Sequence, residues 1–286
     1  DVTFRGMFGS RIKMLVDGSE NLGACPSRMD SPTSYIQPES FDQITVIKGP
    51  QTVQYATPGS AATVIFQRQP ENLSKEQPYR GQASVLMGSY GRLDHNIEAA
   101  IGDESKYARL NANRSVADDY KDGNDKSIHS NWERWNTDLA LGWKPTDDSW
   151  LELRAGKGDG EAAYAGRSMD GSQFKRESLG LHAEQKNITE VIKKVEAQVD
   201  YSYNDHVMDN FSLRTPPMTT MNMHGMNMTV PNKMSMRVDR RTLNTRLAVT
   251  TDWDKFSVIS GVDTQQNKHG GDMVMYAMPS MNSPYA

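Results

Sequence analysis

The sequence predicts a mainly β protein: a transmembrane antiparallel β-barrel behind a small mixed N-terminal domain. Three observations carry this. Apolar and polar residues alternate with period two from about residue 80 onward. The alternating runs are on the order of ten residues long, and the connections between them are short and long by turns.

Residues 1–72 read differently from the rest. "RIKMLVDGSEN" is a strand running into an Asp17-Gly18 turn, and "FDQITVIKGPQTVQYATPGSAATVIFQ" is two short β segments around Gly49-Pro50. The polar linker "RQPENLSKEQPY" marks a boundary, which divides the chain into residues 1–72 and 73–286.

Beyond the linker, in "RWNTDLALGW", Trp135, Thr137, Leu139, Leu141 and Trp143 face one way, and Arg134, Asn136, Asp138, Ala140 and Gly142 the other. In "KVEAQVDYSYN", Val195, Ala197, Val199, Tyr201 and Tyr203 alternate with Glu196, Gln198, Asp200, Ser202 and Asn204. Ile97 to Ile101, Ala108 to Ala112, Leu151 to Ala155 and Leu243 to Val249 repeat the pattern. The charged face must see water. A soluble sandwich also has a wet face, so strand length and connections decide. Trp135 and Trp143 are eight residues apart on one face, about 26 Å at 3.3 Å per residue, near the height of a lipid-facing band.

Residues 102–105, 144–149, 186–189 and 251–255 are short turns, as is "GSYGR" at 88–92. About 118–131, about 159–173, about 206–237 and the tail after 268 are long connections. Short turns on one side and long loops on the other belong to an outer-membrane barrel, with the long loops outside the cell. About nine strands result. Bacterial single-chain barrels close with an even number, so the chain reads as truncated at its carboxyl end.

Composition excludes other classes. With 32 basic and 36 acidic residues spread along the chain, there is no basic stripe for nucleic acid. Mean hydropathy is -0.69, and no run approaches the roughly 18 apolar residues of a membrane helix. The start "DVTFRGMFGS" is no signal peptide. The single cysteine, Cys25, allows no internal disulfide and sits in the Gly/Pro/Ser-rich stretch "GACPSRMDSPTS". No nucleophile triad, paired carboxylates or phosphate-cradling loop appears, so no enzyme is expected.

"FRGM…MLVDG" followed by "PESFDQITVIKGPQTVQY" resembles the plug domain of TonB-dependent outer-membrane transporters. The matching residues are Arg5, Gly6, Val16, Asp17, Gly18, Ile44, Val46, Ile47, Lys48, Gly49, Pro50 and Tyr55. "LMGSYGRLDHNIEAAIG" is similar to the first barrel hairpin of that family. Where such plugs carry Tyr-Gly and Gly-Gly, this chain has Tyr55-Ala56 and Ala61-Ala62. The resemblance implies a 22-stranded barrel, with residues 1–72 the later part of the plug and 73–286 its first strands and loops. It implies an outer-membrane location, contact with lipid, and coupling to the TonB complex through a segment that would precede residue 1.

Within that family, "CPSRMD" and "HGM" look like the C-x-x-x-M and H-x-M signatures of copper receptors of the OprC/NosA type. By position, the resemblance implies Cys25 and Met29 of the plug and His224 and Met226 of a long loop as copper ligands, and copper import as the function.

The chemistry is consistent with that set. Cys25 and Met29 share a face of a single helical turn, with Pro26 at its first position, and His224 and Met226 share a side of an extended loop. Three sulfurs and one imidazole form a soft set that selects Cu(I), whereas Ca²⁺ and Mg²⁺ ask for carboxylates. Met is usually core filler. Residues 208–236, however, hold eight of the 17 Met, where an even spread gives about two, and their neighbours are Asn, Thr, Pro and Gly. Met218, Met221, Met223 and Met228 suit a loose capture surface, and Met273, Met275, Met278 and Met281 fall in the next extracellular loop. His95, His129, His182, His206 and His269 read as solvated or structural. The rival readings are a receptor for a siderophore or other metal chelate, and a copper-binding β protein that does not transport.

Overall fold

The computed structural model describes residues 2–50, 53–54, 59–223 and 226–276. The N-terminal part is built on a four-stranded sheet of β1 (Ile12–Val16), β2 (Ser19–Glu20), β3 (Gln43–Lys48) and β4 (Ala62–Gln67), in the order β2-β1-β4-β3. β1 and β4 run parallel, and the other pairs antiparallel. Ile12, Met14, Ile36, Ala61 and Phe66 form its core, with Phe41 packed on Phe66 at 5.4 Å between ring centroids. The Asp17-Gly18 turn joins β1 to β2, both residues at positive φ, where Gly is unstrained.

The rest is one antiparallel sheet of nine strands: β5 (Tyr79–Met87), β6 (Leu93–Gly102), β7 (Lys106–Ala117), β8 (Trp132–Thr146), β9 (Ser149–Ala162), β10 (Asp170–Lys186), β11 (Ile192–Asp209), β14 (Met234–Trp253) and β15 (Phe256–Met275). Between β11 and β14 stands a hairpin of β12 (Met218–Met223) and β13 (Met226–Pro231). Sequence neighbours pair in order from β5 to β15, and the two end strands do not meet, so the barrel is open in this chain. Among the described residues no helix is long and apolar enough to cross a membrane, which says nothing of strands.

The sheet is inside out relative to a soluble core. Leu110 is 46% exposed, while its neighbour Asn111 is 2% exposed. Ile97, Leu139, Leu141, Leu153, Leu179, Leu181 and Leu247 lie outside, and Glu98, Asn136, Glu152, Gln198 and Thr242 lie inside. This alternation suits lipid outside and a polar lumen. Trp135 and Trp143 are on the outer face, as their spacing predicts.

The strands exceed the expected length, and the long connections shrink accordingly. β11 has 18 residues, and β14 and β15 have 20 each. Residues 207–209 and 235–237, expected in a loop, pair with each other as the tops of β11 and β14. Met273 and Met275 likewise lie in β15, not in a loop; Met278 and Met281 fall outside the described residues. The polar composition that signals a loop in sequence here marks strands rising beyond the apolar band, where both faces tolerate polar residues.

Inside the sheet the N-terminal domain is held by ions and amides. Arg68 reaches Asp17 at 3.1 Å and Asp138 of β8 at 3.5 Å. Arg154 of β9 bridges Asp17 at 3.2 Å and Asp200 of β11 at 3.4 Å. Ser40 donates to Asn111 at 2.8 Å, and Asn204 donates to the Leu22 carbonyl at 2.6 Å. These groups are buried with partners, the only inexpensive way to bury them.

Candidate metal centre

Cys25 sits where the plug loop meets the top of the wall. Asp30 organises the loop: its carboxylate accepts the Ala24 and Cys25 amides at 2.6 and 2.7 Å and the Tyr35 hydroxyl at 2.7 Å. Closure is tight enough that a Cβ at Gly23 would stand 1.9 Å from the Asp30 carbonyl oxygen. The Arg28 amide donates to the Cys25 carbonyl at 2.9 Å, with Arg28 at φ 57°. The segment is thus a turn, not the start of a helix. The left-handed Arg28 ends it after one bond, because the chain must fold back to bring Asp30 under Cys25.

Cys25 is 7% exposed, and its Sγ lies 3.7 Å from Sδ of Met208, near the top of β11. Ala24, Cys25, Met208 and Val238 form one buried cluster, and Met29, Met169 and Met236 pack on it. One thiol therefore sits among four thioethers, from the plug loop, the β9–β10 connection and two wall strands. Tyr164, in that connection, donates to the Met29 carbonyl at 2.6 Å and ties the loop to the wall. Burial raises the pKa of Tyr164, and the nearby Asp30 charge raises it further; the same two causes act on Tyr35. Both phenols therefore stay protonated and keep donating.

Of the four expected ligands, Cys25 and Met29 come together. Met226 opens β13 at 67% exposure, outside the buried cluster; its register partner is Met223, and Met221 pairs with Met228. His224 lies outside the described residues. Met169, Met208 and Met236 are the additions. Met208 and Met236 are direct cross-strand partners, continued by Met273 on β15. Their even numbering on strands whose even positions face inward carries that signal; nothing in the sequence marks Met169. Among the described residues no group of three or more His, Cys, Asp or Glu side chains is arranged to hold a metal.

His206, which the sequence places among solvated or structural histidines, is 0% exposed on the same face as Met208. Its Nδ1 lies 2.8 Å from the Gln173 carbonyl, which can only accept, so Nδ1 carries the proton. Nε2 is left as a bare lone pair with no hydrogen-bond partner.

Residues 1–64 match the family described as TonB-dependent receptor plug domain. A comparison with curated proteins found no match. Among solved structures, one titled copper transporter OprC is 50% identical with a TM-score of 0.88, over 98% of this chain and 42% of that one. The siderophore receptor PirA from Acinetobacter baumannii is 16% identical with a TM-score of 0.62, over 94% of this chain and 41% of its own. The FrpB iron transporter from Neisseria meningitidis is 12% identical with a TM-score of 0.62, over 93% and 42%. The last two show the fold alone. The chain spans less than half the length of each of these structures. The plug match, the lipid-facing sheet and the 50% identity place the chain in one family: it belongs to the TonB-dependent outer-membrane receptors, β-barrel proteins of bacteria.

Proposed function

We propose that the chain is part of a receptor that binds copper at the extracellular face, between plug and loop, and imports it with energy from the TonB complex. The observation that carries this reading is the buried Cys25 thiol, 3.7 Å from one thioether, in a cluster against which three more methionines pack. The 50% identical structure titled as a copper transporter supports it. Residues 1–72 act as plug and residues 73–286 as barrel wall and loops.

The cargo is Cu(I), because a thiol with thioethers is a soft donor set and the carboxylate of the same loop, Asp30, is engaged by three donors. Met29 follows the Cys25–Arg28 turn, Met226 opens β13, and His224, two residues before Met226 in sequence, completes the set in this reading. Release follows when the plug is pulled from its ion pairs with the wall. No covalent chemistry is involved.

Metal analysis of the purified full-length receptor and its Cys25→Ala and His224→Ala variants tests the assignment. Copper should be lost from the first and reduced in the second. Unchanged copper in Cys25→Ala overturns it.

A further inference from the structure

The fully buried His206 has no role in the site just proposed, yet its free ring nitrogen is an expensive thing to bury. On β11, residues two apart share a face about 6.6 Å apart, so His206 and Met208 both face the lumen. The ring leans toward the level of Met208: its Cε1 lies 3.1 Å from where a Cβ on Gly171 would stand, and Gly171 is the cross-strand partner of Met208. Phe174 flanks the ring at 4.5 Å between centroids and fixes its plane.

The sulfur spacing points the same way. Two sulfurs bound to one metal at about 2.3 Å each and separated by 3.7 Å subtend about 107°, close to a tetrahedral angle. Cys25 and Met208 thus stand at ligand separation. A buried histidine whose Nδ1 donates to a main-chain carbonyl presents Nε2 in the tautomer used by metal-bound histidines.

We propose that the wall supplies an inner station for a soft monovalent cation, made of Cys25 Sγ, Met208 Sδ and His206 Nε2. This rests on the copper reading above and adds to it a place where the metal is held by plug and wall alone, without the hairpin. Cys25 Sγ is then shared between the site proposed above and the wall station, and the metal moves between them without leaving that sulfur.

The test uses the full-length receptor in detergent, loaded anaerobically with one equivalent of Cu(I), and copper K-edge X-ray absorption. In the His224→Ala variant the hairpin imidazole is gone, yet about one imidazole nitrogen should remain in the metal's shell. In His224→Ala/His206→Gln, and equally in His224→Ala/His206→Phe, that scattering should vanish with copper–sulfur scattering retained; Phe keeps the contact with Phe174. In His224→Ala/Met208→Leu the sulfur count should fall by one. Heat-modifiable migration in gels checks that each barrel is folded. An all-sulfur shell in His224→Ala alone, or imidazole scattering surviving loss of both histidines, overturns the proposal. Failure of the wild type to hold copper at all, or full copper in Cys25→Ala, overturns the parent reading instead.

Discussion

The side-chain amide of Gln198, on the barrel wall, donates to the main-chain carbonyl of Asp17 at 2.6 Å, and a Cβ on the adjacent Gly18 would stand 2.8 Å from the oxygen of that same amide. The turn is glycine for two reasons at once: its φ is +88°, and the wall leaves no room. Gly18→Ala should destabilise plug docking by about 1–3 kcal/mol, the cost of a non-glycine residue held in strained backbone. A lower guanidinium midpoint and faster proteolysis of the plug check this. Gln198→Ala should relieve the steric part only.

Plug docking should also weaken in acid. Burial pushes the Asp17 carboxyl up, but the Arg68 and Arg154 guanidinium groups and the Arg68 amide outweigh it and hold the pKa below the usual value. A carboxylate with a depressed folded pKa contributes stability that is present above its unfolded pKa and lost as pH falls through the folded one. Hydrogen-exchange protection of the plug, relative to the intrinsic rate at each pH, should therefore be unchanged between neutral pH and the unfolded carboxylate range, and fall below it. Asp17→Asn should be less protected throughout and lose this part of the acid dependence.

The Asp30 carboxylate is the single acceptor for Ala24, Cys25 and Tyr35. Asp30→Ala leaves three buried donors without it, at about 1–3 kcal/mol for each that finds no water. The turn that presents Cys25 should loosen, and Cu(I) affinity should fall in competition with a chromogenic chelator. Tyr35→Phe removes one donor and leaves two, so its effect should be smaller. Equal effects would mean that the charge does not organise the turn.

On the outer face, Leu110→Arg should cost about 2–4 kcal/mol if Leu110 lies near the bilayer midplane, read as a shift in the folding equilibrium in lipid vesicles. The barrel face is legible in sequence because lipid and lumen impose period two across the apolar band of β6 to β11. The plug turn at Asp17-Gly18 is legible because only Gly takes that φ cheaply. The strand tops are not: above the apolar band neither face is forced to be apolar, so residues 206–209 and 234–237 read as loop. His206 is illegible for a related reason. Its ring packs on Phe174 and beside Gly171 of β10, which the fold brings to it and nothing within its own segment announces.

Methionine packing and methionine ligation can be separated by one substitution. Met→Leu conserves volume and usually costs under about 1.5 kcal/mol in a core, but it removes the only donor atom of the side chain. Met29 and Met169 both pack on the Cys25 cluster, and of the two only Met29 lies on the thiol's own loop, one residue after the Cys25–Arg28 turn. Met29→Leu should keep the midpoint of thermal unfolding within a few degrees while weakening Cu(I) binding at least tenfold, about 1.4 kcal/mol. Met169→Leu should leave both nearly as they are. If Met29→Leu binds Cu(I) like the wild type, Met29 is filler, and the ligands of Cys25 must come from the wall and the hairpin. A drop in stability with affinity unchanged would lead to the same conclusion, because lost packing then accounts for all that the thioether does.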